Sequence, residues 1–127
     1  MPVLKKIKVA IIGATGFSGL DLVLMLSKHP KIKITYLCAT KNLGRKISFF
    51  DKRIKKNLPK ISSVAKINWK IVDLVFLSLP NGEAQRVIKK TFNKYIKLKY
   101  IDLSADFRIT DTKIYDKNYG IKHMAHN

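Results

Sequence analysis

Apolar runs of strand length alternate with segments of helical period along this chain. The apolar runs show no strict alternation with polar residues, which is typical of strands buried on both faces of a parallel sheet. The predicted strands are residues 6–12, 32–39, 72–79 and 99–103, and the predicted helices are residues 17–29 and 83–95. This order predicts an α/β fold of the Rossmann type, a doubly wound parallel sheet.

Each predicted helix has one apolar face that we expect to pack on the sheet. The apolar face of the first helix consists of Leu20, Val23, Leu24 and Leu26. The apolar face of the second helix consists of Ala84, Val87, Ile88, Phe92 and Tyr95. Between residues 40 and 71 the periodicity is lost, and the pattern predicts loops and short elements. The length of the chain favours a single domain over residues 1–127.

The turn after the first strand contains three glycines at a spacing that serves phosphate binding. We expect Gly13 to adopt a positive φ, Gly16 to let the backbone approach a pyrophosphate, and Gly19 to let the helix pack on the strand. Free N–H groups at the start of the helix would face the phosphates. The pattern predicts a dinucleotide site at Gly13, Thr15, Gly16, Phe17, Ser18 and Gly19. A structural turn that binds no ligand is the alternative.

Ligands of doubly wound sheets bind beyond the carboxyl ends of the strands. Residues 13–19, 40–45, 79–82 and 104–108 follow predicted strands and are expected to outline one crevice. The exit loop of the third predicted strand adds Leu79, Pro80, Asn81 and Gly82 to the expected cofactor site; a simple turn is the alternative for Asn81 and Gly82.

The residues after the second predicted strand favour NADP over NAD. An acidic residue usually stands there to bind the ribose hydroxyls of NAD, whereas this chain has Thr40 and Lys41. Thr40 can donate a hydrogen bond to the additional phosphate of NADP, and Lys41 or Arg45 can supply positive charge. The alternative is that Lys41 is a solvated lysine in a lysine-rich chain.

The formal charge of +18 raises the possibility of a nucleic-acid partner. Lysine provides most of the 26 basic residues and is dispersed along the chain, whereas base recognition and bidentate phosphate contacts favour arginine. We therefore expect no specific nucleic-acid binding, although nonspecific adhesion at low salt is expected. Cys38, the single cysteine, excludes an intramolecular disulfide and is expected to be a buried structural thiol.

Four motifs occur together in an order that is specific to one enzyme family. They are Gly13-Ala-Thr-Gly-Phe-Ser-Gly19, Val75-Phe-Leu-Ser-Leu-Pro-Asn-Gly82, Asp102-Leu-Ser-Ala-Asp-Phe-Arg108 and Tyr115-x-x-x-Tyr119-Gly120-x-x-His123. With them the chain resembles the N-terminal, NADP-binding part of the N-acetyl-γ-glutamyl-phosphate reductases, enzymes of arginine biosynthesis in the aspartate-semialdehyde dehydrogenase superfamily. The resemblance implies NADPH-dependent reduction of an acyl phosphate to a semialdehyde.

The resemblance also implies a cysteine nucleophile that this sequence does not contain. In the family that cysteine belongs to an Asn-Pro-Gly-Cys-type motif downstream of the segment that matches His123, and the 127 residues end before it. We therefore expect no catalytic residue here, an incomplete sheet without the catalytic domain, and no activity of the chain alone. Asp106 and Arg108 either border the substrate phosphate or form an ion pair that fixes their loop. No metal site is expected.

Several alternatives stay open at this point. The substrate could be an aminoadipate or aspartate derivative, and a basic nucleic-acid-binding module is a rival of another class. The chain could be a fragment, part of a split enzyme or a decayed product. We expect a cytoplasmic protein with a small-molecule partner and no membrane contact, because no apolar run is long enough to span a bilayer and no signal peptide is apparent. For the full-length form we expect a homo-oligomer.

Overall fold

A parallel five-stranded sheet forms the centre of the fold. In the computed structural model, which describes residues 5–80 and 82–103, the strands are β1 (Ile7–Ile12), β2 (Ile32–Cys38), β3 (Ile61–Ser62), β4 (Leu74–Leu77) and β5 (Lys99–Asp102). Their order across the sheet is β3-β2-β1-β4-β5, and every neighbouring pair is parallel. The prediction of a parallel α/β fold is confirmed.

Two α-helices cover opposite faces of this sheet. Helix α1 (Phe17–Ser27) connects β1 to β2, and helix α2 (Glu83–Thr91) connects β4 to β5. Val9 and Ile11 of β1 share one core cluster with the buried side of α1, whereas Ala10 and Ile12 share the other with the buried side of α2. The sheet is therefore doubly wound, because α1 and α2 pack on the two opposite faces to which successive residues of β1 point.

The apolar face predicted for the first helix packs against the core, but the prediction omitted the buried Leu22. Leu22, Val23 and Leu26 are buried, whereas Leu20 and Leu24 are half-buried at the margin of the core. The helix also ends before the predicted residue 29. The hydroxyl of Ser27 donates to the carbonyl oxygen of Leu24, and the backbone N–H groups that follow donate to carbonyl oxygens three residues back, so the last turn is tighter than an α-helix.

The apolar face predicted for the second helix is confirmed, although the helix is shorter than expected. Ala84 and Ile88 are buried, and Val87, Phe92 and Tyr95 pack against the same core. The α-helix ends at Thr91, whose hydroxyl donates to the carbonyl oxygen of Val87 at 2.9 Å. Lys89 and Lys90 are exposed, as expected of its polar side.

Residues 40–71, predicted to contain loops and short elements, hold the two-residue strand β3 and three turns of 3₁₀-helix. These turns are Ile47–Phe49, Val64–Lys66 and Trp69–Ile71. Ile47, Ile54 and Ile61 are buried against the side of the sheet that α1 covers. These apolar anchors hold the segment to the sheet, although the segment contains no α-helix. In the described ranges, no helix is long and apolar enough to cross a membrane.

Candidate cofactor site at the carboxyl edge of the sheet

Because every strand pair is parallel, the strands end at one edge of the sheet, which we call the carboxyl edge. β1 lies at the centre of the sheet, and the chain reaches β2 on one side of it and β4 on the other. The connections that leave β1 and β4 therefore depart to opposite faces and leave a crevice between them. The sequence-predicted glycine turn begins at the end of β1, at this position.

The glycine turn is held between the ends of the two strands that flank β1. The carbonyl oxygen of Cys38, the last residue of β2, accepts the N–H groups of Gly13 at 2.8 Å and Ala14 at 3.1 Å. On the other side, the backbone of Gly13 packs against the carbonyl oxygen of Ser78, just after β4. Gly13 has a φ of 88°, so the predicted positive φ is confirmed. The turn is part of the sheet's framework.

Two of the three glycines are required by the packing of the chain itself. A Cβ atom on Gly13 would collide with the carbonyl oxygen of Ser78, and one on Gly19 would collide with the carbonyl oxygen of Gly13. The close packing of helix on turn that was predicted for Gly19 is therefore present. Gly16 differs, because a Cβ atom there would meet only the carbonyl oxygen of Gly13, at 3.7 Å, an ordinary van der Waals distance.

The start of helix α1 exposes unsatisfied N–H groups. Gly16 caps the helix in an extended conformation with no side-chain cap, and its first turn contains no acidic residue. The carbonyl oxygen of Gly16 accepts the N–H of Leu20 at 2.8 Å. Among the described residues, none accepts a hydrogen bond from the N–H groups of Phe17 and Ser18. Gly16, Phe17 and Ser18 are all exposed, and Thr15 is half-buried. The positive end of the helix dipole thus faces open space at the carboxyl edge.

The loop after β2 places positive charge on the same edge. Thr40, Lys41 and Arg45 are exposed, and the guanidinium of Arg45 lies 4.2 Å from the ring centroid of Phe49. Asn42 adopts a positive φ in this loop, which turns the backbone. The N–H of Gly44 donates to the carbonyl oxygen of Ile61 at 2.7 Å and so connects the loop to β3. The Arg45–Phe49 stacking was not predicted, although its spacing of four residues could have suggested it.

The exit of β4 contributes a second strand-to-helix turn. Leu79 packs against the core, Pro80 is exposed, and Gly82 caps α2 with a φ of 86°. The Ser78 N–H donates to the Ile12 carbonyl at 2.8 Å, which ties the exits of β4 and β1 together. Asn81, Asp106 and Arg108 lie outside the described residues, so their predicted roles stay predictions.

Cys38 lies near this edge but does not face it. Its side chain is fully buried in the core on the α2 side of the sheet, and burial raises the pKa of its thiol to about 11. A thiol that stays protonated at neutral pH is a poor nucleophile. The prediction of a buried structural thiol is confirmed.

Comparison with known proteins agrees with this geometry. Residues 8–126 match the family model described as the NAD-binding domain of semialdehyde dehydrogenase. Proteins named N-acetyl-γ-glutamyl-phosphate reductase are 44% identical in Ehrlichia ruminantium, over 91% of this chain and 33% of theirs, and 38% identical in Afipia carboxidovorans, over 95% of this chain and 35% of theirs. The chain spans about a third of the length of these relatives.

A solved structure shows the same fold with a cofactor. Aspartate semialdehyde dehydrogenase from Candida albicans, solved with NADP, is 26% identical and superposes with a TM-score of 0.61, over 82% of this chain and 31% of that one. Together with the reductases, this structure confirms the resemblance that the four sequence motifs indicated.

Proposed function

Because this chain belongs to the semialdehyde dehydrogenase family, matching its NAD-binding domain, we propose that it binds NADP at the carboxyl edge. We further propose that it is the cofactor-binding part of an N-acetyl-γ-glutamyl-phosphate reductase. Relatives of that name are similar over nearly the whole chain, and a related dehydrogenase was solved with NADP. The pyrophosphate would lie on Gly16, Phe17 and Ser18 at the start of α1.

Gly16 carries this proposal. Gly13 and Gly19 are explained by packing inside the protein, but the space around Gly16 would accommodate a side chain. Its φ of −76° is also accessible to any residue. A glycine that neither packing nor backbone conformation requires, beside two unsatisfied N–H groups, is explained by a ligand that must approach the backbone closely.

The preference for NADP follows from the charges at the end of β2. Residues 39–46 contain Lys41, Arg45 and Lys46 and no acidic residue that would repel a phosphate. Stacking on Phe49 holds the guanidinium of Arg45 at a fixed place while leaving it exposed for a second interaction. Thr40 offers a hydroxyl donor next to these cations. We assign the additional phosphate of NADP to this loop.

In the whole enzyme, the bound cofactor would supply hydride to an acyl group held on a cysteine. Residues of this chain would bind and orient the cofactor. The Asn-Pro-Gly-Cys-type motif of the family is not among the 127 residues, and the buried thiol of Cys38 cannot replace it. We therefore propose that these residues bind NADPH without reducing an acyl phosphate. The cytoplasmic location and the homo-oligomeric state of the full-length form stay predictions.

Titration of the folded chain with NADPH and NADH, followed by cofactor fluorescence, tests this function. We expect NADPH to bind at least about tenfold more tightly, because a charge-assisted phosphate contact contributes more than about 1.4 kcal/mol. Lys41→Gln and Arg45→Gln should lower the affinity for NADPH and leave the affinity for NADH unchanged. The control variant Lys94→Gln, in the turn after α2 and remote from the site, should change neither affinity. A preference for NADH, or no binding by a folded chain, would contradict the proposal.

A further inference from the structure

A second concave surface lies outside the cofactor residues. It is an open depression of about 740 Å³, and we call it the basic depression. Its lining residues are Lys46, Ser48, Lys52, Ile54, Lys55, Lys56 and Asn57. Apart from Lys46, which ends the loop assigned to the additional phosphate of NADP, these residues lie outside the proposed cofactor site, and the glycine turn does not contribute to the depression.

The lysines of the basic depression have no acidic partners. Two carboxylates lie close to these lysines in the fold or in the chain: Asp21 on α1 and Asp51, which precedes Lys52. Both are paired with the guanidinium of Arg53, which lies 2.7 Å from Asp51 and 3.2 Å from Asp21. This contact lowers the pKa of Asp51, so the carboxylate is ionised and paired at neutral pH. Both ion pairs formed between two described residues are those of Arg53, and neither includes a lysine of the depression. One guanidinium between two carboxylates leaves a net charge of −1, so the four charges of Lys46, Lys52, Lys55 and Lys56 are offset only in part and their field stays positive.

The shape of the depression is fixed by the core beneath it. Ile54 is 1% exposed and packs in the cluster that joins α1 to the sheet. A neighbouring concavity of about 450 Å³ shares Lys56 and Asn57 with the depression and adds Lys6 and Lys33, at the end of the sheet opposite the glycine turn. The positive surface thus continues away from the cofactor site.

We propose that the basic depression binds a small ligand with adjacent phosphate groups, such as an inorganic polyphosphate or the phosphates of a nucleoside triphosphate. Four ammonium groups around one concave surface suit several closely spaced negative charges, and Ser48 and Asn57 add neutral donors. Nucleic acid fits less well, because the lining contains no aromatic side chain on which a base could stack.

Calorimetric titration of the folded chain with tripolyphosphate in 0.15 M NaCl tests this inference. With the cofactor site saturated by NADPH, we expect one tripolyphosphate site, with an affinity that falls as salt rises. The triple variant Lys52→Gln, Lys55→Gln and Lys56→Gln should weaken binding by about tenfold or more. The triple variant Lys89→Gln, Lys90→Gln and Lys94→Gln removes the same charge from the opposite side of the sheet and should change binding by less than about twofold.

Two further measurements separate this site from others. Gly16→Val should weaken NADPH binding by about thirtyfold or more yet retain tripolyphosphate binding, so failure of the cofactor proposal and failure of this one are distinguishable. ATP should compete with tripolyphosphate for the depression. Equal weakening by both triple variants would overturn the proposal by showing a general charge effect. Tighter binding of a single-stranded oligonucleotide than of tripolyphosphate in 0.15 M NaCl would overturn the assignment to a small ligand.

Discussion

The two turns that lead from a strand into a helix at the carboxyl edge are built in different ways. The turn before α1 is enclosed, because Gly13 packs against the chain after β4 and bonds to the end of β2. Before α2, a Cβ atom on Gly82 would meet no atom of the described residues within 4 Å. Both glycines have nearly the same φ, 88° and 86°. A glycine is thus required at position 13 by its positive φ and by the backbone of Ser78, whereas the described residues around Gly82 show only the requirement of the positive φ.

The charges at the two helix starts differ as well. The first turn of α1 has no acidic residue, whereas the first turn of α2 begins with Glu83. A carboxylate at the N-terminus of a helix neutralises part of its dipole, and an anionic ligand does the same from outside. This difference supports the proposal that the N-terminus of α1 binds an anionic ligand, because the first turn of α2 contains a negative charge and that of α1 does not.

The largest effect that we predict is a difference in stability between alanine variants of the two glycines that have nearly the same φ. Gly13→Ala should lower the free energy of unfolding by at least about 3 kcal/mol, because a backbone collision adds to the strain of a positive φ. Gly82→Ala introduces only the strain of a positive φ and should lower the free energy of unfolding by about 1 kcal/mol. Urea denaturation followed by circular dichroism measures both. Similar losses in the two variants would show that the packing around Gly13 is not the difference.

The next effect concerns Gly16, whose side-chain position is open. Gly16→Val should lower the free energy of unfolding by about 1 kcal/mol, the cost of a poorer N-cap, since the Cβ atom itself would meet only the Gly13 carbonyl oxygen at 3.7 Å. The same change should weaken NADPH by about thirtyfold or more, because the side chain would occupy the space of the pyrophosphate. Fluorescence titration checks the affinity and urea denaturation the stability. A variant that binds as tightly as the parent would leave Gly16 without a ligand role.

Sequence alone predicted the parts of the fold that repeat a strong pattern. β1, β2, β4 and the apolar face of α2 are buried in the core, and burial requires apolar residues at positions that can be identified in the sequence. The ends of the helices were less accurate, because Ser27 and Thr91 close them with side-chain bonds to the backbone. Such bonds depend on rotamers that compete with the continuing helix.

The position of the glycine turn was predictable from the sequence, whereas the long-range contacts around it were not. Spacing identified the glycine turn, but the distinct roles of Gly13 and Gly16 depend on the carbonyl oxygen of Ser78, which lies 65 residues away from Gly13 in the chain. The two-residue strand β3, which pairs with Leu37 and Cys38 at the edge, is too short to show a period. Long-range contacts of this kind leave no local signal in a single sequence.

The smallest predicted effects exchange the charges of the two helix starts. Ser18→Asp places a carboxylate in the first turn of α1, where it should raise the free energy of unfolding by about 0.5 kcal/mol and weaken NADPH by about fivefold. Stability and affinity would therefore move in opposite directions. Glu83→Gln removes the carboxylate of α2 and should cost about 0.5 kcal/mol without changing the affinity for NADPH. If Ser18→Asp left NADPH binding unchanged, the N-terminus of α1 would not be the phosphate site, because an anion held there must experience the new charge.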